Sequence, residues 1–109
     1  MKRKREETIR VLVKRPGAVP EMQNIPNTLE AMQGIVGGHI ENVQLFSDLS
    51  CVCDEEGRLK GYPPCCTICG VDFVGTVLLV GTDQRRSEYC SVPFDEERAR
   101  VLFPWMWVA

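Results

Sequence analysis

One histidine, His39, is all the imidazole in 109 residues, and that scarcity narrows the chemistry at once. A Cys–His nucleophile pair would have to use it. It follows the glycines of a predicted helix end, where a cation sits well against the helix dipole. We therefore read it as structural, and the sequence points to no catalytic residue and no enzyme. Long apolar runs are missing too: none approaches the roughly 20 residues that cross a bilayer, so no membrane partner is expected. The glycine-bearing stretches "VGGHIE" and "LVGTDQRRS" lack the lysine and the strand-to-helix order of a phosphate loop. Internal repeats, low-complexity linkers and a second domain are likewise absent.

The start, "MKRKREETIRVLVKR", has a basic head but too short an apolar part and no small-residue cleavage site, so no secretory signal is expected. A cytoplasmic, reducing setting follows as the expectation. There the six cysteines serve as thiols or metal ligands rather than disulfides.

Charge is present but lopsided. Residues 1–15 hold seven bases and two acids, a net of +5; residues 16–109 hold six bases and thirteen acids, a net of −7. A basic tail can find phosphate by charge attraction. The run "KRKREE" is short and has no aromatics for base stacking, so it reads as a solvated terminus, and nucleic acid is not the favoured partner. The acidic body is too weakly charged to mimic DNA, whose phosphates lie roughly 1.7 Å apart along the duplex.

The apolar pattern then places the elements. "TIRVLVKRPG" alternates as a strand and ends in a turn at Pro16-Gly17; "PEMQNI" returns antiparallel to it. In "PNTLEAMQGIVGG", Asn27 with Glu30 three residues later suggests a capping box. Leu29, Met32, Ile35 and Val36 form one helical stripe, stopped by Gly37-Gly38. "HIENVQLF" reads as a strand, and "LSCVCDEEGRLKGY" as a hairpin turning at Glu55-Glu56-Gly57. Residues 71–80 are apolar on both faces and predict one interior strand. After the exposed turn "DQRRSE", "YCSV" is a short edge strand. "FDEERARVLFP" is a second helix capped by Asp95, with Ala99, Leu102 and Phe103 inward. The order β-β-α-β-β-β-β-β-α predicts an α+β fold: a flexible basic tail over 1–7, then a single domain over 8–109. Its sheet is mostly antiparallel, with two helices packed on one face.

With these elements placed, "TIRVLVKRPG", "NTLEAMQGIVGGHIENVQL", "CDEEGRLKGYPP" and "FVGTVLLVG" resemble, in the same order, the segments of the family known as domain of unknown function 3846. The resemblance spans about residues 8–103. Its most specific part is the helix, double glycine and strand, followed by the Glu55–Pro63 turn. It implies a small protein of bacteria, phages and plasmids, often in mobile-element neighbourhoods, with a role such as modulating host defence. It carries over no catalytic residues. Cys53 and Cys65-Cys66 stand where relatives carry polar residues, so a metal site here would be this chain's own elaboration.

The cysteine-rich stretch "CVCDEEGRLKGYPPCCTICG" offers the clearest candidate chemistry. Cys66 and Cys69 have C-x-x-C spacing with Gly70 behind, the form of a zinc knuckle, and Cys51 and Cys53 would complete a tetrahedral set. Against this, i and i+2 side chains in a strand lie roughly 7 Å apart, whereas bonds of about 2.3 Å put zinc-bound sulfurs closer. A bend at Asp54, or Cys65 or Cys90 as a substitute, would be needed. "PPCCTICGV" leads into a strand, not the helix N-terminus that a redox dithiol favours. The favoured reading is therefore thiols as small core residues with no cofactor. The alternative is a zinc-stabilised module contacting nucleic acid. The acids Asp54, Glu55 and Glu56 read as a solvated turn, without the alternating ligands of a calcium loop. At the end, Trp105, Met106 and Trp107 either fold back onto the core or form a partner interface. The functional expectation is a monomer or homodimer that binds another macromolecule, a protein in the first instance.

Overall fold

The structure, a computed structural model, describes residues 7–107; the predicted basic run at 1–6 lies outside them. The elements are β1 (Thr8–Lys14), β2 (Glu21–Pro26), α1 (Leu29–Val36), β3 (Ile40–Phe46), β4 (Leu49–Asp54), β5 (Pro64–Ile68), β6 (Val71–Val74), β7 (Val77–Asp83), β8 (Glu88–Cys90) and α2 (Glu96–Leu102). A short 3-10 helix, Pro104–Trp107, closes the described chain. The main sheet runs β2-β1-β7-β4-β3, with β8 also paired to β7, and every pairing is antiparallel. β5 and β6 form a separate hairpin. The chain is thus α+β, as expected.

The period of two splits the sheet's apolar residues between two cores. One face carries Leu12, Cys51, Cys53 and Leu79 and is covered by the β5–β6 hairpin, α2 and the 3-10 helix, through Ile68, Phe73, Ala99, Phe103 and Met106. The other carries Val11, Val13, Val52, Leu78 and Val80 and is covered by α1 through Met32 and Val36. The helices therefore lie on opposite faces, not on one as expected. Both faces of β1, β4 and β7 are apolar, and one short helix covers only one of them.

The expected strand over 71–80 is two strands. Val77–Val80 are fully buried and central, as predicted. At Gly75 the backbone takes φ +72° and its amide donates to the Pro63 carbonyl at 2.8 Å. Residues 71–74 thereby leave the main sheet and pair with β5, with Val71 exposed. The expected hairpin over 49–62 is also absent. β4 is buried along its length and has β3 on one edge and β7 on the other, so no edge remains for a returning strand. Residues 55–61 instead wind through tight turns, with Lys60 N–H donating to Glu56 O and Tyr62 N–H to Gly57 O.

Caps and stripes need smaller corrections. Thr28, not Asn27, caps α1: its hydroxyl accepts from the Ala31 amide at 3.1 Å. Asn27 is buried and spends its side-chain amide on the Tyr89 carbonyl, 3.1 Å away. Gly37 ends the helix at φ +97°, as the sequence indicated. Asp95 caps α2, also as indicated, accepting from the Arg98 amide. Leu29 and Leu102, expected inward, are exposed; the stripes narrow to Met32 and Val36 in α1, and to Ala99 in α2 followed by Phe103.

Candidate functional site

The segments that carry the family pattern meet at one place, where α1 ends and β4 ends. Lys60 Nζ lies 2.7 Å from Asp54 Oδ2 and donates to the Gly37 carbonyl at 3.2 Å. The Asp54 side chain is 1% exposed, and its other oxygen accepts from the Glu56 amide at 2.9 Å. Hydrogen bonding to Lys60 is the main reason its carboxyl sits below the usual value; the Glu56 amide and Tyr62 add to it. The same bond raises Lys60. The Tyr62 ring packs against three glycines. A Cβ on Gly37 would fall 2.8 Å from its hydroxyl oxygen, one on Gly57 3.3 Å from the ring, and one on Gly75 would collide with Cδ2. Gly38 is pressed by Lys60 and Asp54. This cluster is an architectural lock: a loop cation satisfies an orphan helix carbonyl and a buried carboxylate together. Of the acids read as a solvated turn, Glu55 and Glu56 are exposed and Asp54 is not. His39 is exposed, with its carbonyl accepting from the Glu55 amide.

The candidate zinc ligands have different surroundings. Cys51 is fully buried, and burial pushes its thiol well up. Cys53 faces the same core, is pushed up to about 11 by burial and Glu41, and has its sulfur 3.8 Å from Glu41 Oε1. Cys66 is half-buried on β5, and Cys69 is exposed at the β5–β6 turn with φ +51°. The structure brings Cys51 near Cys53, Cys65 and Cys66. Among the described residues, no three His, Cys, Asp or Glu side chains are grouped to hold a metal ion, and Cys51, Cys53, Cys65, Cys66 and Cys69 are free thiols.

The final aromatic stretch folds back. Met106 is 1% exposed in the core under α2, and Trp107 packs against that core beneath the Arg100 guanidinium. Trp105 is 49% exposed, yet its indole N–H donates to the Thr67 carbonyl at 2.8 Å and its ring meets Phe103 edge-on.

Two features escaped the sequence reading. The face of the sheet beyond α1 turns polar. Gln44 donates to Thr82 Oγ1 at 3.0 Å and accepts from the buried Ser50 hydroxyl, and Tyr89 donates to Asn42 Oδ1 at 2.8 Å. Asn and Gln at alternate strand positions were the available signal. The second is an edge. Among the described residues β3 pairs only with β4, and beside it opens a cleft of about 290 Å³ lined by Glu41, Val43, Cys53, Arg58, Leu59 and Phe73, among others. Leu59, inside the family's turn, is 86% exposed. Lys60 and Tyr62 have packing roles in that turn, whereas Leu59 presents itself to solvent.

No helix among the described residues is long and apolar enough to cross a membrane. The family described as Domain of unknown function (DUF3846) matches residues 9–102, nearly the whole of the described chain, and the chain belongs to it. No curated protein and no solved structure matches the chain.

Proposed function

We propose that this member of the family is a non-enzymatic protein-binding module that receives an extended, basic segment of a partner along β3. The observation that carries the reading is the open edge of β3 above the Leu59-lined cleft. An edge strand presents unpaired backbone donors and acceptors, the template for adding a strand from another chain. The opposite edge, β2, is bounded by Pro20 and Pro26, which limit such pairing. β3 contains no proline, lysine or arginine, and its irregularity is confined to the Gln44–Phe46 end. Alternate residues of an added strand would face the cleft, where Val43, Leu59 and Phe73 offer apolar contact. Glu41, Glu55 and Asp72 outnumber Arg58 among the cleft's unlocked charges, and residues 16–109 are net −7, so a basic segment is favoured. The one thiol lining the cleft, Cys53, stays protonated near neutrality, which supports binding rather than nucleophilic chemistry. The mobile-element setting is proposed on the family resemblance.

The test uses two labelled octapeptides, one alternating arginine with valine and one alternating glutamate with valine, followed by fluorescence anisotropy. The arginine peptide should bind at least tenfold tighter, and Glu41→Lys or Leu59→Ser should erase that preference. Equal binding of both peptides, or a preference untouched by either substitution, overturns the proposal. So does a concentration-dependent dimer abolished by Leu59→Ser, since β3 would then serve a second copy.

A further inference from the structure

At the end of β3 away from the Leu59 cleft, apolar side chains stand exposed around a second cavity. The pairing of β3 with β4 shifts register between Gln44 and Phe46, and Phe46 pairs with Leu49. Such a shift breaks the alternation of side chains, so Phe46 lines this cavity together with Leu49. The cavity holds about 290 Å³ and shares no lining residue with the Leu59 cleft. Its floor is Leu49, Phe94 and Phe103, all buried; its lips are Phe46, 51% exposed, and Leu102, 41% exposed. The Phe94 and Phe103 rings meet edge-on with centroids 6.0 Å apart. The Phe94 carbonyl accepts from the Arg10 guanidinium at 3.1 Å, so the floor is held in place. Two charged residues, Asp48 and Arg98, complete the lining. The backbone of each is fixed: the Asp48 carbonyl accepts from the Thr82 amide at 3.0 Å, and the Arg98 amide donates to the Asp95 cap at 2.8 Å. Among the described residues, neither the Asp48 carboxylate nor the Arg98 guanidinium has an ion-pair partner. The neighbouring Arg100, by contrast, pairs with Glu96 at 3.7 Å and lies over the Trp107 ring.

We propose that this cavity binds a free α-amino acid with an aromatic or branched aliphatic side chain. The volume lies close to the lower end of small-molecule sites, about 300 Å³, which suits one apolar side chain with its charged head at the rim. Seating that side chain on Leu49, Phe94 and Phe103 removes apolar surface from water on both partners, the exposed parts of Phe46 and Leu102 included. Charge complementarity selects the head group. The Arg98 guanidinium offers a planar fork of donors that matches a carboxylate, and the Asp48 carboxylate accepts from an ammonium. A ligand with a carboxylate alone would satisfy Arg98 and bring its charge near Asp48. A ligand with an ammonium alone would do the reverse. An α-amino acid carries both charges and one apolar branch on a single carbon, the three kinds of group that the cavity presents partners for. The contact is reversible, and no covalent step is involved.

The test titrates the full chain with L-phenylalanine and L-leucine as probes and follows backbone amides by two-dimensional NMR. At least one of the two should give saturable shifts at Phe46, Asp48, Arg98 and Leu102 at millimolar concentration. Phenylpropionate, which lacks the ammonium, and phenethylamine, which lacks the carboxylate, should each bind at least fivefold more weakly than L-phenylalanine. Two substitutions at exposed positions separate the charges. Arg98→Gln should weaken L-phenylalanine and phenylpropionate and leave phenethylamine unchanged; Asp48→Asn should weaken L-phenylalanine and phenethylamine and leave phenylpropionate unchanged. The analogue series needs no variant, so it stands whatever the substitutions do to folding. No saturable shift with either amino acid, or equal binding of L-phenylalanine and both analogues, overturns the proposal. So does a concentration-dependent dimer abolished by Leu102→Ser, since a second copy would then cover the cavity.

Discussion

The ammonium of Lys60 lies 2.7 Å from a carboxylate oxygen of Asp54 whose side chain is 1% exposed. That one contact joins a loop to the buried end of β4, and through the Gly37 carbonyl it also reaches the end of α1.

Removing the carboxylate should loosen all three. Asp54→Ala is expected to destabilise by about 1–3 kcal/mol, the loss of the hydrogen bonds that its buried carboxylate accepts from Lys60 and the Glu56 amide, read as a lower urea midpoint at unchanged slope. The pH dependence has a definite sign. Asp54 titrates below its ordinary value near 3.8, so its contribution is complete above that value and is lost as pH falls through the folded-state value. Lys60 is raised above its ordinary 10.5, so its share is present below that value and fades as pH climbs through its own folded-state value. Asp54→Asn should flatten the acid limb of a stability-versus-pH curve below about pH 4; an unchanged limb would refute the assignment.

Gly75→Ala tests the break between β6 and β7. The added methyl meets the Tyr62 ring at a backbone φ of +72°, a conformation that costs a non-glycine residue about 1–3 kcal/mol. Calorimetry should show a clear drop in Tm. Combining it with Tyr62→Ala, which removes the ring it strikes, should give a loss smaller than the sum of the two single losses.

For the helix cap, Thr28→Ala should cost about 1 kcal/mol through the lost Ala31 amide partner. Glu30→Ala should cost a few tenths at most, since Glu30 is exposed and takes no part in the observed cap. Chemical denaturation of the pair separates the Thr28 cap from the capping box expected at Asn27.

At the end of the described chain, Met106→Ala should cost about 2–5 kcal/mol as a core truncation. Trp105→Ala should cost less, losing mainly the bond to Thr67 and the edge contact with Phe103. Equal losses would mean that the two side chains share burial, contrary to their exposures.

The buried thiols should be silent. Pulse alkylation at pH 7 should leave Cys51 and Cys53 unlabelled until the protein is globally unfolded, because both are buried and raised. Labelling of either one at low denaturant would show a local opening of β4.

Much of the scaffold was legible because local signals sufficed. Period-two runs located β1 and β7, Gly37 marked the end of α1, and Asp95 marked the start of α2. What failed depended on neighbours. Asn27 and Thr28 are both good caps, and only the tertiary bond from Asn27 to Tyr89 chooses between them. Residues 49–62 look like a hairpin until β7 is seen to occupy the edge a returning strand would need. The Asp54–Lys60 lock joins residues in one quoted motif, but their meeting depends on how the turn winds and where the helix stops. The bulge at Cys65, where Pro64 pairs with Val74 and Cys66 with Phe73, is a matter of register, which a strand's own sequence does not reveal.

The position of β7 between β1 and β4 has a consequence for how the molecule is made. Leu12 pairs with Leu79 and Cys51 pairs with the same residue from the other side. A nascent chain can fold its first hairpin and its β3–β4 pair early, as these contacts are local. The two halves stay unjoined until the segment between them has left the ribosome, with Val11, Leu12 and Val52 open to aggregation meanwhile. Chains halted before residue 77 should be captured by chaperones, and chains that extend past 83 should be released.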